Sequence, residues 1–124
     1  MTKLFNSINH AKYLSDELKG KYIYFSKSYQ DSQLYYIFRI ESIDASNGIS
    51  KIKYNCSKVY LLMVPNDKSR TVFLYDNYKE VIVNGLYDVL YEMTFSEYVN
   101  TFREFVKSDG KRGSELPNKI IQDE

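Results

Sequence analysis

Residues 21–43, KYIYFSKSYQDSQLYYIFRIESI, decide how the chain reads. From Leu34 onward, alternate positions place Leu34, Tyr36, Phe38 and Ile40 on one face of an extended strand. Tyr35, Ile37, Arg39 and Glu41 fall on the other. The first face is apolar and the second mixed, the pattern of a strand with one side on a core. Residues 22–27 alternate in the same way, Ile23 and Phe25 against Tyr22 and Tyr24, and the polar SYQDSQ between the two runs predicts a hairpin loop. Phe25, Tyr36 and Phe38 are core residues on this reading. The rings of Tyr22, Tyr24, Tyr29 and Tyr35 are left over, and a function must be sought for them.

Outward from this hairpin, the same signals recur. DASNG (44–48) is a turn, and Ile52, Tyr54 and Cys56 then alternate with Lys51, Lys53 and Asn55. VYLLMV (59–64) is continuously apolar, as expected of a strand covered on both faces, and PNDK breaks it. Residues 71–75 predict another strand, DNY a turn, and 80–83 a strand leading into Asn84-Gly85. Asn-Gly between apolar runs predicts a type I′ hairpin, with 86–93 as the returning strand.

Both ends read as helix. Ile8, Ala11, Leu14 and Leu18 share one helical face, Asn6 or Ser7 can cap the start, and Gly20 suits the left-handed residue after its end. At the other end Thr94 and Glu97 form a T-x-x-E capping box, with Met93 and Tyr98 placed for a hydrophobic staple. Phe95, Tyr98, Val99, Phe102, Phe105 and Val106 form a broad apolar stripe, and Phe95, Val99, Phe102 and Val106 are the expected inward face. The expected fold is α+β: an N-terminal helix, a strongly bent antiparallel sheet or small barrel of about six strands, and a C-terminal helix packed on it. Residues 1–107 make a single domain and 108–124 a flexible C-terminal tail.

Composition narrows the function classes. At 124 residues and 44% hydrophobic, the chain can bury a core without staples. The lone Cys56 closes no internal disulfide, no apolar run approaches the roughly 20 residues of a membrane helix, and MTKLFNSINH lacks a signal peptide's apolar block. A cytoplasmic protein without membrane association is expected. His10 is the single histidine and Cys56 the single cysteine, too few for a zinc site; His10 reads as a surface residue and Cys56 as a small buried hydrophobe, not as a base and nucleophile. Glycines are scattered at turns, with no phosphate loop. No catalytic residue, metal ligand or cofactor is expected, and the chain reads as a non-enzyme.

Charge is near balance, at +1, but polarised along the chain. Between Ile49 and Arg70 five basic residues (Lys51, Lys53, Lys58, Lys68, Arg70) face one acid, Asp67. Between Asp76 and Glu104 six acids face Lys79 and Arg103. This is neither a uniformly acidic nucleic-acid mimic nor a strongly basic general binder. Tyr22, Tyr24, Tyr35, Arg39, Lys51 and Lys53 are the expected partner-binding residues of a protein-binding module, since exposed tyrosines bury much area with little entropy loss. A host protein is the expected partner, and a homodimer is a second option. The alternative is a nucleic-acid-binding small barrel whose lysines track phosphates while tyrosines stack bases.

The pattern of Gly20–Lys107, with a G-K-Y strand start, tyrosine-rich strands and the helix opening EMTFSEYVNTF, resembles small orphan proteins of phages and mobile elements of AT-rich bacteria. Many of these inhibit host defence or nucleic-acid enzymes, anti-CRISPR proteins among them. The resemblance carries no residue roles. It implies an inhibitor that works by occluding a surface, since the acidic composition of a DNA mimic is missing.

Overall fold

The computed structural model of the chain describes residues 1–4, 13–14 and 16–108. Its elements are β1 (Thr2–Lys3), β2 (Tyr22–Tyr29), β3 (Ser32–Asp44), β4 (Ile52–Pro65), β5 (Phe73–Val83), β6 (Leu90–Met93) and α1 (Phe95–Ser108). The strands form one antiparallel sheet in the order β1-β6-β2-β3-β4-β5, and the fold is α+β. The sheet stays open: β1 and β5 are its edges and do not pair with each other. No N-terminal α-helix is found among the described residues. The end of the expected one, Asp16–Leu18, is a 3-10 turn that buries Leu18, while Leu14 of the expected apolar face is exposed. Positions 5–12 and 15, and the expected tail from 109 onward, lie outside the described residues.

The hairpin in the opening stretch is tighter than its polar residues suggest. Tyr29 pairs with Ser32, so only Gln30 and Asp31 make the turn, and Gln30 takes a left-handed φ of 51°. Register shifts interrupt the β3–β4 ladder on either side of Ile40 and the β4–β5 ladder on either side of Val59. Such irregularities bend strands and increase twist.

Both faces of the bent sheet are packed. One cluster gathers Ile23, Phe25, Phe38, Ile40, Ile52, Tyr54, Val59, Val81 and Leu90, closed by Tyr13 and Leu18. The opposite cluster gathers Tyr24, Tyr35, Ile37, Leu62, Val64, Val72 and Met93 under Phe105 of α1. The apolar run of β4 serves both: Val59 belongs to the first cluster and Leu62 and Val64 to the second.

The capping box forms as its residues require. The Glu97 N–H donates to Thr94 Oγ1 (3.1 Å) and the Thr94 N–H to Glu97 Oε1 (2.9 Å). The Met1 ammonium also lies on Glu97, and it, followed by the Thr94 N–H, holds this carboxyl below its usual range. The helix is rotated from the expected face, however. Thr101, Phe105 and Ser108 are its buried residues; of the expected face, Val99 and Phe102 are half-buried, Phe102 with its ring 4.5 Å from Tyr60, whereas Phe95 and Val106 are exposed. The apolar stripe is wider than the contact. The small side chains of Thr101 and Ser108 on Phe105's side allow α1 to approach the sheet there.

Asn84-Gly85 does not make a hairpin, because β5 and β6 are not neighbours. In a flat sheet these strands would stand four ladder spacings apart, about 19 Å. The connection between them is wound up, with the Tyr87 and Asp88 N–H groups donating to the Asn84 carbonyl (3.2 and 2.8 Å). A connection so compact requires the sheet to curl until its β5 end meets β6, and Val81, Val83 and Leu90 do share one cluster. Gly85 serves this junction. Its N–H donates to the Ile49 carbonyl (2.8 Å), and a Cβ there would meet the Ile49 side chain at 2.9 Å and that carbonyl at 3.1 Å. Gly85→Ala is expected to cost about 1–3 kcal/mol by overpacking, read as a lower urea midpoint with unchanged slope.

Candidate functional site

The six residues singled out from the sequence do not form one surface. Tyr24 and Tyr35 are buried, 2% and 6% exposed, and lie side by side with ring centroids 6.4 Å apart. Tyr22 is half-buried and packs on Phe95 (5.6 Å) and Tyr98 (4.6 Å) of the helix. All three therefore belong to the helix-covered core and are not left over as free rings. Arg39 is exposed, and its Nε donates to the Gly20 carbonyl (3.3 Å). Lys51 is exposed just before β4, and Lys53 pairs with Glu80 across the β4–β5 ladder (3.8 Å).

The basic segment is likewise dispersed. Lys53 lies near the start of the 14-residue β4 and Lys68 in the turn beyond its end, with a stretch of strand of up to roughly 40 Å between them at about 3.3 Å per residue. Between them the Lys58 ammonium lies over the Tyr60 ring (5.6 Å).

A different set of rings is exposed, and these converge. At the hairpin end of the sheet, on the face opposite α1, each of four neighbouring strands contributes two side chains to a groove of about 350 Å³. They are Lys27 and Tyr29 from β2, Leu34 and Tyr36 from β3, Leu61 and Met63 from β4, and Tyr75 and Tyr78 from β5. Tyr29 is 55% exposed, Tyr75 38% and Tyr78 45%, and Phe73, 45% exposed, extends the rim with its ring 6.2 Å from Tyr75. Tyr75 and Tyr78 meet edge to face at 6.2 Å.

The floor is firmer. Tyr36 stacks on the buried Phe25 at 5.5 Å, and the Lys27 ammonium lies over both rings, 5.9 Å from Phe25 and 5.8 Å from Tyr36. Burial, followed by the neighbouring Tyr78, pushes the Tyr36 phenol up to about 12.

Local irregularity in β5 places the two tyrosines together. DNY was expected to be a turn, but β5 runs through it with a register shift: Tyr75 pairs with Leu61 and Tyr78 with Val59. Three β5 steps are thus matched to two β4 steps. This brings Tyr75 and Tyr78, which strict alternation would put on opposite faces, onto the same face. Of the groove's rings only Tyr29 was legible beforehand as unexplained. Tyr75 and Tyr78 were hidden by the turn reading, and Tyr36 by its core-like alternation.

Reactive chemistry is thin. Cys56 is buried, and burial, with Glu41 adding to it, pushes its thiol up to about 12, far from the thiolate a nucleophile needs. Among the described residues no group of three or more His, Cys, Asp and Glu side chains could hold a metal ion, and no helix is long and apolar enough to cross a membrane. His10 lies outside those residues. No family model, curated protein or solved structure matches the chain.

Proposed function

We propose that the chain is a non-enzymatic protein-binding module and that the aromatic groove is its contact surface. The observation that carries this reading is the exposure of Tyr29, Phe73, Tyr75 and Tyr78 around an apolar floor of Leu34, Leu61 and Met63. Monomeric proteins rarely leave contiguous apolar patches open without a binding role. Tyrosine and methionine are also enriched in the buried centres of interfaces. Charge favours a protein partner over a nucleic acid: Lys27 is the one charged side chain lining the groove, where a strand of phosphates would call for a row of cations. The lysines on which a nucleic-acid reading rests, Lys51 and Lys53, sit at the start of β4, away from the groove at its other end, and Lys53 is paired with Glu80. The likeness of the sequence to phage and mobile-element orphans extends the proposal to an inhibitor that occludes a surface of a host defence or nucleic-acid enzyme.

A pull-down from nuclease-treated bacterial lysate tests this reading, comparing wild type with Tyr75→Ser/Tyr78→Ser and with Lys51→Glu/Lys53→Glu. A stoichiometric protein captured by wild type and by the lysine variant, and lost by the tyrosine variant at unchanged melting, is the expected result. Capture that survives loss of the tyrosines, or that is seen only in a parallel lysate without nuclease, counts against it.

A further inference from the structure

Lys27 distinguishes the groove from a plain apolar patch. Its side chain is half-buried, and among the described residues no carboxylate lies within ion-pair distance of it; the faces of Phe25 and Tyr36 flank its ammonium, and the Asp88 that lines a second pocket beside Lys27 is beyond that distance. The ring faces give the ammonium partial compensation, and water supplies the rest. An occupant that closes the groove must strip that water, and a desolvated ammonium without a counter-charge is costly. A purely apolar occupant would bear this cost in full. One that brings a carboxylate to the β2 side would turn it into a charge-assisted hydrogen bond and fix its own register.

The dimensions set the rest of the ligand. From β2 to β5 the groove crosses three inter-strand spacings, about 14 Å, the length of roughly four extended residues. Lys27 stands at the β2 end. Leu61, Met63, Tyr75 and Tyr78 stand at the β4–β5 end and offer aliphatic and aromatic surface with no charge.

We infer that the groove recognises a short extended segment of a partner protein, with an Asp or Glu side chain seated on Lys27 and an aliphatic or aromatic side chain about three residues away seated between Met63, Tyr75 and Tyr78. This rests on the protein-binding reading above and adds the chemistry of what is bound.

An array of capped, fluorescently labelled peptides tests it. Each peptide carries one acidic and one large apolar residue at separations of one to four positions, beside a matched peptide with Asn or Gln in place of the acid. Wild type is expected to prefer acidic peptides at the longer separations over their amide twins by about tenfold. Lys27→Glu should invert that preference toward peptides with Lys in the acidic position, and Tyr75→Ser/Tyr78→Ser should abolish binding of both kinds. Circular dichroism melts keep loss of binding apart from loss of fold. Equal binding of acidic and amide peptides, still lost in the tyrosine variant, overturns the carboxylate inference and leaves the groove standing as an interface. Binding that ignores the tyrosine variant, or an array with no binder at all, overturns both.

Discussion

Phe105→Ala should destabilise the protein by about 3–5 kcal/mol, the range for truncating a fully buried phenylalanine. Phe105 is the one large side chain of α1 with no exposure at all, and it sits in the cluster with Tyr24, Tyr35, Ile37 and Leu62. Removing its ring opens a cavity between a helix capped at Thr94 and a sheet whose strands are held from both faces, so collapse around the void is limited. Val106→Ala on the same helix, 49% exposed, should cost under about 1 kcal/mol. Urea midpoints for the two variants decide which face of α1 is inward. Equal costs would mean that the helix is not seated on Phe105.

Raising the pH above about 10 should unfold the protein over a narrow range. Burial raises the phenols of Tyr54, Tyr13 and Tyr35, with the neighbouring Tyr13 adding at Tyr54 and the Asp88 charge at Tyr13. Tyr54 is fully buried, and its O–H donates to the Tyr13 carbonyl (2.7 Å), while the Tyr13 O–H donates to the carbonyl of Asp88. These raised values set the sign of the effect. Above the unfolded tyrosine pKa of about 10 the unfolded chain releases protons that the native chain keeps. Their contribution is intact below that pH and is lost as pH rises toward the folded values. Each phenol that stays protonated costs up to about 1.4 kcal/mol per pH unit in that window. Tyr54→Phe removes one such group, so its stability should fall less steeply with pH, by close to one proton. Stability that stays level to pH 11 would contradict the burial of these hydroxyls.

Alternation made the hairpin of β2 and β3 legible, and the cap at Thr94 made the start of α1 legible, because both are local. What failed depends on which elements cover which face. Alternation at Tyr22, Tyr24 and Tyr35 marks a second side of a strand. It does not reveal that α1 closes over that side, so these rings looked available when they were core. The stripe on α1 was wider than its contact, and the small residues Thr101 and Ser108 that set the contact carry no hydrophobic signal. Asn84-Gly85 signals a turn correctly, but a turn does not state which strands it joins. The curl that brings β5 to β6 arises from irregularities beside Ile40 and Val59 that periodicity does not register. The DNY stretch hid Tyr78 for the same reason, since a bulge and a turn use similar residues.

The groove at the hairpin end of the sheet is tested most directly by site-specific photo-crosslinking. p-Benzoylphenylalanine is placed at position 78 in one variant and at position 51 in another, and each is irradiated in nuclease-treated lysate. A discrete protein adduct from position 78, with none from position 51, is the expected result. An adduct from position 51 with none from position 78 would contradict the assignment of the groove as the binding surface.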